Sequence, residues 1–505
     1  MKLENIPILS ILIFLPLVGA FFISLIDRSV SIANTRKVAL WTSVVTFGLA
    51  LILLLGIDIH TPSYQFINHA TIFEGINLEY KVGINGGSLA FILFTTFLFS
   101  LSIWAGWDRI QTQLKLYMIL LLIFETLVLG AFAQLNLLMF FVFFEATVIP
   151  LYFLMGIWGG KDKAQASLKF LGYSLISSFC LLLVLMKILE ITNTLDFERV
   201  SQFPFPPSSE TWLFLGLFLS LSIKVPLIPF HVWFPQAQTQ FPTPVSMIAG
   251  SAFVQLGTYS IIKILIPLFP YAAMRMGPFI CSLGAVGIVY MAWVAFGQKN
   301  IKKLIAYASL SQVCLVILGI FSFHPMALMG AVFYLLSYGV VGAALFFSVE
   351  VLYRQMQTYS IEDYGGISKV MPDFSLIFFL VLLANMGFPG TGGFIGQIFI
   401  LIGLHQIHPL LLILTGVSIF FSGIYTLWLY QRVAFGVITS TLVRGLVDLN
   451  LREKSILVTC LGLIFLMGFF PDPFLRLTEK SLISVLNSQK QPSETLELAE
   501  DSHAY

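Results

Sequence analysis

The stretch Ser222-Ile-Lys-Val-Pro-Leu-Ile-Pro-Phe-His231 decides the fold, because two prolines and a lysine interrupt an apolar run otherwise long enough to cross a membrane. A second interruption, Asn385-Met-Gly-Phe-Pro-Gly-Thr-Gly-Gly-Phe394, follows about 160 residues later. Proline removes a backbone donor and clashes with the preceding turn, and lipid tolerates the freed carbonyls only inside protein or beside a water-filled cavity. Two breaks at matching places in two five-helix blocks predict an internal repeat of the transporter kind. The alternative is a pair of proline kinks that only shape packing.

The composition of the 505-residue chain is that of a membrane protein. Hydrophobic residues make up 58% and charged residues 10%, whereas an ordinary globular domain is about a quarter charged. The formal net charge of +2 argues against nucleic acid as a partner. The four cysteines lie singly in apolar runs without metal-ligand spacing, which predicts small buried hydrophobes and no metal site. The first apolar run, Ile6 to Ile26, lacks a cleavage site and is interpreted as a retained helix.

Apolar stretches near the required length recur almost end to end, which predicts an all-α, polytopic membrane protein with about fourteen transmembrane helices. The stretches fall at residues 6–26, 38–57, 87–107, 116–133, 136–157, 166–190, 211–231, 245–267, 277–297, 303–322, 327–350, 373–389, 409–431 and 454–471. The seventh and twelfth helices are the broken ones. We divide the chain into five segments. Residues 1–115 contain helices one to three and an extramembrane loop at 58–86, and residues 116–270 form a first repeat of helices four to eight. Residues 271–435 form a second repeat of helices nine to thirteen, residues 436–485 contain the last helix, and residues 486–505 form a polar tail.

The basic residues predict the orientation of the chain in the membrane. Most Lys and Arg fall in loops that follow odd-numbered helices, and the positive-inside rule places such loops in the cytoplasm or matrix. We refer to this face as the basic side. Both termini are expected on the opposite face, which we refer to as the terminal side.

Ionisable side chains within the predicted helices are functional hypotheses by default, because a charge in the hydrocarbon region is costly unless it is paired or hydrated. Glu145 and Lys224 lie near mid-span on helices five and seven. Pairing would keep both charged, whereas separation would favour a neutral lysine and release a proton, which is the physics of a proton relay. The alternative is a static ion pair that locks two helices together. Glu125 has either a relay or a packing role, Lys263 conducts or only extends towards the interface, and His231 closes the broken helix.

The second half of the chain is different, because its predicted helices contain no Lys, Arg, Asp or His at depth between about residues 277 and 430. Its only acid in these helices, Glu350, lies at a helix end. The polar interior residues can hydrogen-bond and order water, but none takes up a proton near neutral pH. They are Gln312, Tyr338, Asn385 and Gln397, with Gln255 just upstream on helix eight. The sequence therefore predicts that a proton path is interrupted in this half.

Five motifs between residues 143 and 396 resemble the antiporter-like subunit M (chain 4) family of the NADH-quinone oxidoreductase (complex I) membrane arm, and the match runs in order from helix one to beyond Trp428. They are Phe143-Phe-Glu-Ala-Thr-Val-Ile-Pro150 with its continuation to Gly160, Lys224-Val-Pro-Leu-Ile-Pro-Phe-His-Val-Trp-Phe-Pro235, Asn300-Ile-Lys-Lys-Leu-Ile-Ala-Tyr-Ala-Ser309, Tyr364-Gly-Gly366 and Ala384-Asn-Met-Gly-Phe-Pro-Gly-Thr-Gly-Gly-Phe-Ile-Gly396. The resemblance implies two inverted five-helix repeats and a proton channel along a central polar axis. It also implies that NADH and quinone are used by other subunits, with no cofactor bound by this chain.

Compared with the family pattern, this sequence keeps the first ion pair and loses later titratable groups. The family's helix-five glutamate falls on Glu145 and its helix-seven lysine on Lys224. The other axis positions are replaced by neutral residues: the helix-eight lysine by Gln255, two histidines by Gln312 and Tyr338, and the helix-twelve glutamate by Gln397. Such replacements preserve hydrogen bonding and packing but not proton transfer. The chain is therefore interpreted as a divergent paralogue of the family.

Three functions remain open from the sequence. The first is a proton-pumping membrane-arm subunit of a quinone-reducing respiratory complex, with Lys263 as a substitute for the lost lysine. The second is a subunit that assembles with the complex but no longer pumps. The third is a subunit of a multi-subunit cation/proton antiporter. The expected partners are the lipid bilayer and other membrane-arm and redox subunits. A bacterial inner membrane is favoured, and the mitochondrial inner membrane and the thylakoid are left open.

Overall fold

The computed structural model describes residues 7–26, 32–73, 78–438 and 441–502. Residue 1, where the first predicted segment begins, and residue 505, where the predicted polar tail ends, lie outside these ranges. The helices, in chain order, are α1 (Ile8–Leu25), α2 (Ile32–Gly56), α3 (Gly86–Ala105), α4 (Leu114–Ala133), α5 (Leu137–Ala146), α6 (Val148–Trp158), α7 (Lys163–Thr192), α8 (Phe197–Ser201), α9 (Pro207–Lys224), α10 (Trp233–Gln240), α11 (Thr243–Ile248), α12 (Val254–Ser260), α13 (Ile266–Leu268), α14 (Pro270–Phe296), α15 (Ile301–Phe321), α16 (Pro325–Met356), α17 (Pro372–Asn385), α18 (Gly392–His405), α19 (Pro409–Ala434), α20 (Thr441–Arg444), α21 (Leu451–Phe469) and α22 (Asp472–Ser502).

The prediction of an all-α, polytopic membrane protein is confirmed. Among the described residues, 11 helices are long and apolar enough to cross a membrane, or up to 12 if α21 and α22, which meet at 70°, form one span. The predicted count of fourteen is not confirmed by this measure. The difference lies mainly in the broken segments, because α17 and α18 have only 14 residues each, and α9 begins with the polar run Pro-Ser-Ser-Glu-Thr and ends with Lys224. The predicted repeat boundaries at 115, 270 and 435 stay predictions.

The first predicted break separates α9 from α10, and the structure shows how its backbone is satisfied. Pro226 cannot donate to the carbonyl of Ser222, and the amide of Leu227 donates there instead at 2.9 Å. The carbonyl of Ile223 accepts from the indole Nε1 of Trp233 at 2.9 Å. A buried carbonyl without a partner would be costly in lipid. The tryptophan therefore stabilises the open end of α9, where Lys224 lies.

The second predicted break separates α17 from α18 and depends on glycine. Gly387 and Gly390 have φ values of +77° and +92°, which a residue with a Cβ adopts only with strain. A Cβ on Gly387 would lie 2.0 Å from Oε1 of Gln397. The turn therefore allows the amide of Gln397 to lie directly against the broken backbone.

The predicted extramembrane loop at 58–86 contains a small antiparallel hairpin, which was not predicted from the sequence. Strands β1 (Gln65–Phe73) and β2 (Leu78–Ile84) pair with each other, consistent with the alternation of polar and apolar residues in this segment. Lys81 on β2 lies 2.6 Å from Asp196 and 2.8 Å from Glu198. Burial opposes the charge of Lys81, but hydrogen bonds to both acids outweigh it and raise its pKa. The hairpin is thereby fixed to the loop that follows α7.

The buried centre of the molecule is formed by α15, α16 and the segment Thr243–Leu268, which contains α11 to α13. In the most apolar stretch of each element, 94% of the residues are buried for α15, 100% for α16 and 94% for Thr243–Leu268. The corresponding share is 28% for both α7 and α19. Helices α7 and α19 therefore form part of the apolar outer surface of this chain. The segment Thr243–Leu268 contains two π-helical stretches, Ala249–Phe253 and Ile261–Leu265, a local geometry that is frequent at functional sites.

Candidate functional site

The structure brings Glu145 and Lys224 together as an ion pair inside the first half of the chain. The Nζ atom of Lys224 donates to Oε2 of Glu145 at 2.9 Å. The Lys224 side chain is 1% exposed and that of Glu145 is 12% exposed. The hydroxyl of Ser178 on α7 also donates to Oε2. The carboxylate therefore has two donors on one oxygen, while its Oε1 has no hydrogen-bond partner in the described part of the chain.

Local breaks in two helices position this pair. Glu145 precedes the junction of α5 and α6 at Thr147, whose hydroxyl donates to the carbonyl of Phe144 at 2.5 Å. Lys224 is the last residue of α9. Its ammonium lies 4.8 Å from the ring centre of Phe144 and 5.8 Å from that of Phe253. Cation–π contacts of this kind favour the charged lysine in the absence of water.

The geometry is compatible with both a static ion pair and a proton relay. A buried ammonium and carboxylate that touch are both stabilised in their charged forms. If the carboxylate moves away or is neutralised, the lysine loses its only acidic partner among the described residues. A buried ammonium without a partner is unfavourable.

Glu125 and His231, two further predicted candidates, do not contact the pair. Glu125 on α4 is fully buried, and its Oε1 accepts from the hydroxyl of Ser43 on α2 at 3.0 Å. The ring of His231 lies edge-on to Tyr290 with 5.8 Å between ring centres. No hydrogen bond to Nδ1 of His231 is present among the described residues. These contacts connect Glu125 to α2 and His231 to α14.

Lys263 is buried and does not extend its side chain into solvent. It lies in the π-helical stretch Ile261–Leu265 and is 5% exposed. Its Nζ donates to the backbone carbonyl of Phe132, the penultimate residue of α4, at 2.7 Å. The rings of Tyr64 and Tyr259 lie 5.7 Å and 6.0 Å from Nζ. No acid forms an ion pair with Lys263 within the described ranges.

The polar residues of the second half form two neutral hydrogen-bond chains. In one, the hydroxyl of Tyr334 donates to Oε1 of Gln312 at 2.6 Å and accepts from Nε2 of Gln397 at 3.4 Å. In the other, the hydroxyl of Tyr338 lies 3.3 Å from Oγ of Ser309 and 3.4 Å from Oδ1 of Asn385. The rings of Tyr334 and Tyr338 stack at 5.7 Å. Four of the predicted polar positions are thus brought together, and none of them is ionisable near neutral pH except at high cost.

Gln255, at the position between the two halves, is separate from these chains. Its Nε2 donates to the backbone carbonyl of Leu335 at 2.9 Å, and its Oε1 has no partner among the described residues. The amide packs against Gly339, where a Cβ would lie 2.2 Å from Nε2. Gln255 therefore connects the eighth predicted helix to α16 by a neutral contact.

Sequence reasoning missed a buried charge cluster near the basic side. Lys302, assigned to a loop by the hydropathy pattern, is the second residue of α15 and is fully buried. Its Nζ donates to the carbonyl of Phe241 at 2.5 Å. Nearby, Glu350 is 5% exposed and pairs with Nε of Arg109 at 3.2 Å and with the hydroxyl of Thr243 at 2.5 Å. The signal that could have indicated this cluster was Glu350, an acid at the end of an otherwise apolar helix, which requires a partner.

Taken together, the broken helices and the ion pair at membrane depth define a class of protein: polytopic helical membrane proteins of the ion-translocating type. Residues 134–422 match the family described as NADH:quinone oxidoreductase/Mrp antiporter, transmembrane, and the chain belongs to this family.

Individual relatives support the same assignment. The chain is 36% identical to NADH-quinone oxidoreductase subunit M of Rhodobacter capsulatus over 481 residues, 92% of this chain and 93% of that protein. It is 37% identical to NADH-ubiquinone oxidoreductase chain 4 of Chondrus crispus over 487 residues, 96% and 98% of the two chains. Among solved structures, a chain of respiratory complex I from Thermus thermophilus with bound NADH superposes with a TM-score of 0.87 at 27% identity, covering 95% of this chain and 99% of that chain. The predicted resemblance is therefore confirmed.

Proposed function

We propose that this chain is the subunit M (chain 4) type component of the membrane arm of a quinone-reducing respiratory complex, and that it transfers protons at the Glu145–Lys224 pair. The observation that carries the proposal is this buried ion pair, 2.9 Å between Nζ and Oε2, at the broken end of α9. The relatives named as subunit M and chain 4 align over more than nine-tenths of the chain, which supports the assembly part.

In this proposal Lys224 is the proton carrier and Glu145 is its switch. While the pair is closed, the lysine keeps its proton because the carboxylate, the Phe144 ring and the Phe253 ring all favour the ammonium. Opening of the pair leaves an ammonium that is 1% exposed, and the proton then moves to a neighbouring hydroxyl or water. Glu125 and His231 are proposed as accessory polar groups on the flanks, because Oε2 of Glu125 and Nδ1 of His231 have no hydrogen-bond partner among the described residues.

The same proposal assigns a structural role to the second half. The neutral chains through Tyr334 and Tyr338 maintain helix packing at the positions of the family's titratable residues. Redox chemistry, NADH and quinone belong to other subunits, and this chain contributes translocation only. Within the described ranges no group of three His, Cys, Asp or Glu side chains is arranged to hold a metal ion. The expected location is a bacterial inner membrane or the equivalent organelle membrane.

The experiment that tests the proposal measures protons moved per electron by the purified complex in sealed vesicles. Glu145→Gln removes the negative charge but keeps the shape of the side chain. We expect quinone reduction to continue and the proton-to-electron ratio to fall. The matched control is Glu190→Gln on α7, an acid whose side chain is 68% exposed and pairs with Lys187 at 2.8 Å. This control should leave the ratio unchanged.

Two results would contradict the proposal. An unchanged ratio in Glu145→Gln would mean that the ion pair is a static helix lock and that the chain is assembled without pumping. Isolation of the chain without redox subunits would contradict the assembly part. Co-purification with small antiporter subunits would instead favour the cation/proton antiporter alternative, which the family description includes.

A further inference from the structure

A cavity of about 740 Å³ is lined by residues from four separate parts of the chain. They include Tyr64 from the extramembrane loop, Phe205 from the segment before α9, Tyr271 from the start of α14 and Ser481 from α22. Each of these four parts follows an even-numbered predicted helix, so the predicted orientation places all of them on the terminal side. In that orientation the cavity opens towards the aqueous phase on the terminal side.

Lys263 forms part of the wall of this cavity. Its ammonium is held by one backbone carbonyl, that of Phe132 at 2.7 Å, and by two aromatic rings. An ammonium has three donors, and none of the described acids pairs with it. Glu210, on the same wall, accepts from the backbone amide of Ala272 at 3.0 Å, so it stabilises the start of α14. Water in the cavity is the partner that the chemistry of Lys263 requires.

The position of Lys263 relative to Lys224 is compatible with proton exchange between them. A Cβ on Gly257 would lie 2.9 Å from the side chain of Val225, which places the end of α9 level with Gly257. Lys263 follows six residues later, so it lies about 9 Å further along the same helical segment. Ser222, between the two levels, is buried and its hydroxyl has no hydrogen-bond partner among the described residues. Hydroxyls and one or two waters can bridge a gap of this size.

We propose that Lys263 and this cavity form a proton exit that leads from Lys224 directly to the terminal side, so that protons leave through the first half and bypass the neutral second half. The ammonium of Lys263 first gives its proton to water in the cavity and becomes a neutral amine. The ammonium of Lys224 then gives a proton to the bridging hydroxyl and water chain, and Lys263 takes up a proton from the other end of that chain. After this transfer Lys224 is the neutral amine and Lys263 is an ammonium again. The inference rests on the proposed function, since it assumes that Lys224 carries protons.

The test uses the assembled complex with Lys263→Cys in a background carrying Cys180→Ser, because Cys180 is half-buried whereas the other three cysteines are buried. Two small thiol reagents of similar size are applied to oriented vesicles. Aminoethyl methanethiosulfonate leaves an amine that can lose a proton, whereas the trimethylammonium analogue leaves a fixed positive charge and cannot cross the membrane. The matched control is Ile261→Cys, a fully buried residue of the same π-helical stretch.

We expect the trimethylammonium reagent to label Lys263→Cys from the terminal side and not from the basic side, and to label Ile261→Cys from neither. Lys263→Cys should lose proton translocation to the level of Glu145→Gln. Aminoethylation should restore it, and the fixed charge should not. Because both reagents act on the same assembled protein, a folding defect cannot produce this difference.

Other outcomes overturn the inference. Labelling of Lys263→Cys from the basic side alone, or from neither side, would mean that the cavity does not open as proposed. Equal effects of the two reagents would mean that Lys263 acts as a fixed charge. If Lys263→Gln pumps normally while Glu145→Gln does not, the exit lies elsewhere and the proposed function stands. If both pump normally, the proposed function itself is wrong.

Discussion

The ion pair between Glu145 and Lys224 should be energetically coupled, and a double-variant cycle can measure that coupling. Removal of one partner of a buried pair costs about 3–5 kcal/mol, because the other charge stays buried without compensation. Glu145→Gln leaves the ammonium of Lys224, which is 1% exposed, so we expect a cost near the upper end. Lys224→Met leaves a carboxylate that is 12% exposed and still bonded to Ser178, so we expect a cost near the lower end.

The double variant Glu145→Gln, Lys224→Met carries no charge at this site, so it should recover most of the loss. The coupling free energy is therefore expected to exceed about 2 kcal/mol. The assay is the free energy of unfolding of the chain in detergent micelles titrated with dodecyl sulfate. The matched control is the pair Lys187 and Glu190, whose side chains are 53% and 68% exposed and whose coupling should stay below about 0.5 kcal/mol. Additive costs in the buried cycle would refute the reasoning, because a coupled pair cannot give them.

Three further predictions concern the second half and the basic side. Gly396→Ala should lower the melting temperature and cost about 1–3 kcal/mol of stability, because the new Cβ would lie 2.5 Å from Cβ of Tyr334. The control Gly423→Ala on α19 should leave the melting temperature unchanged, because no atom lies within 4 Å of the new Cβ. Asp108→Asn should lower the melting temperature at pH 7, because the hydrogen bond from Arg452 at 2.5 Å lowers the pKa of Asp108 in the folded protein. That stabilisation is present above the unfolded pKa of about 3.9 and is lost as the pH falls through the lower pKa of the folded state. The difference in melting temperature between the variant and the parent should therefore vanish in acid. Gln255→Lys combined with Gln397→Glu should be needed before proton conduction appears in the second half, and conduction in either single variant, measured in vesicles, would contradict this.

The sequence was sufficient to predict the features that depend on local chemistry. Proline and glycine within apolar runs identified both helix breaks. Glu145 and Lys224 were a candidate pair because both lie near mid-span and each needs a partner of opposite charge. Residues 58–86 were predicted to lie outside the membrane, but the hairpin within them was not predicted, because strand pairing depends on the hydrophobic register.

Other features depend on how distant elements close over a residue, and the hydropathy pattern does not contain that information. Lys302 lies two residues after the polar Asn300 and directly before a second lysine, Lys303, so its sequence context is that of a loop. Its burial arises from contacts with Phe241 and the neighbouring Tyr359 ring, 5.5 Å away. Similarly, Lys263 was expected either to conduct or to extend towards the interface, and its carbonyl contact and cavity follow only from the packed helices.

The central claim is that protons are translocated through the charged first half of the chain and not through the neutral second half. One comparison of two variants tests this claim most directly. The proton-to-electron ratio is measured in sealed vesicles for Lys224→Gln and for Tyr338→Phe, which removes the hydroxyl between Ser309 and Asn385 with little change in shape. We predict that the ratio falls in Lys224→Gln and stays at the parental value in Tyr338→Phe. A fall in Tyr338→Phe with a normal ratio in Lys224→Gln would contradict the claim.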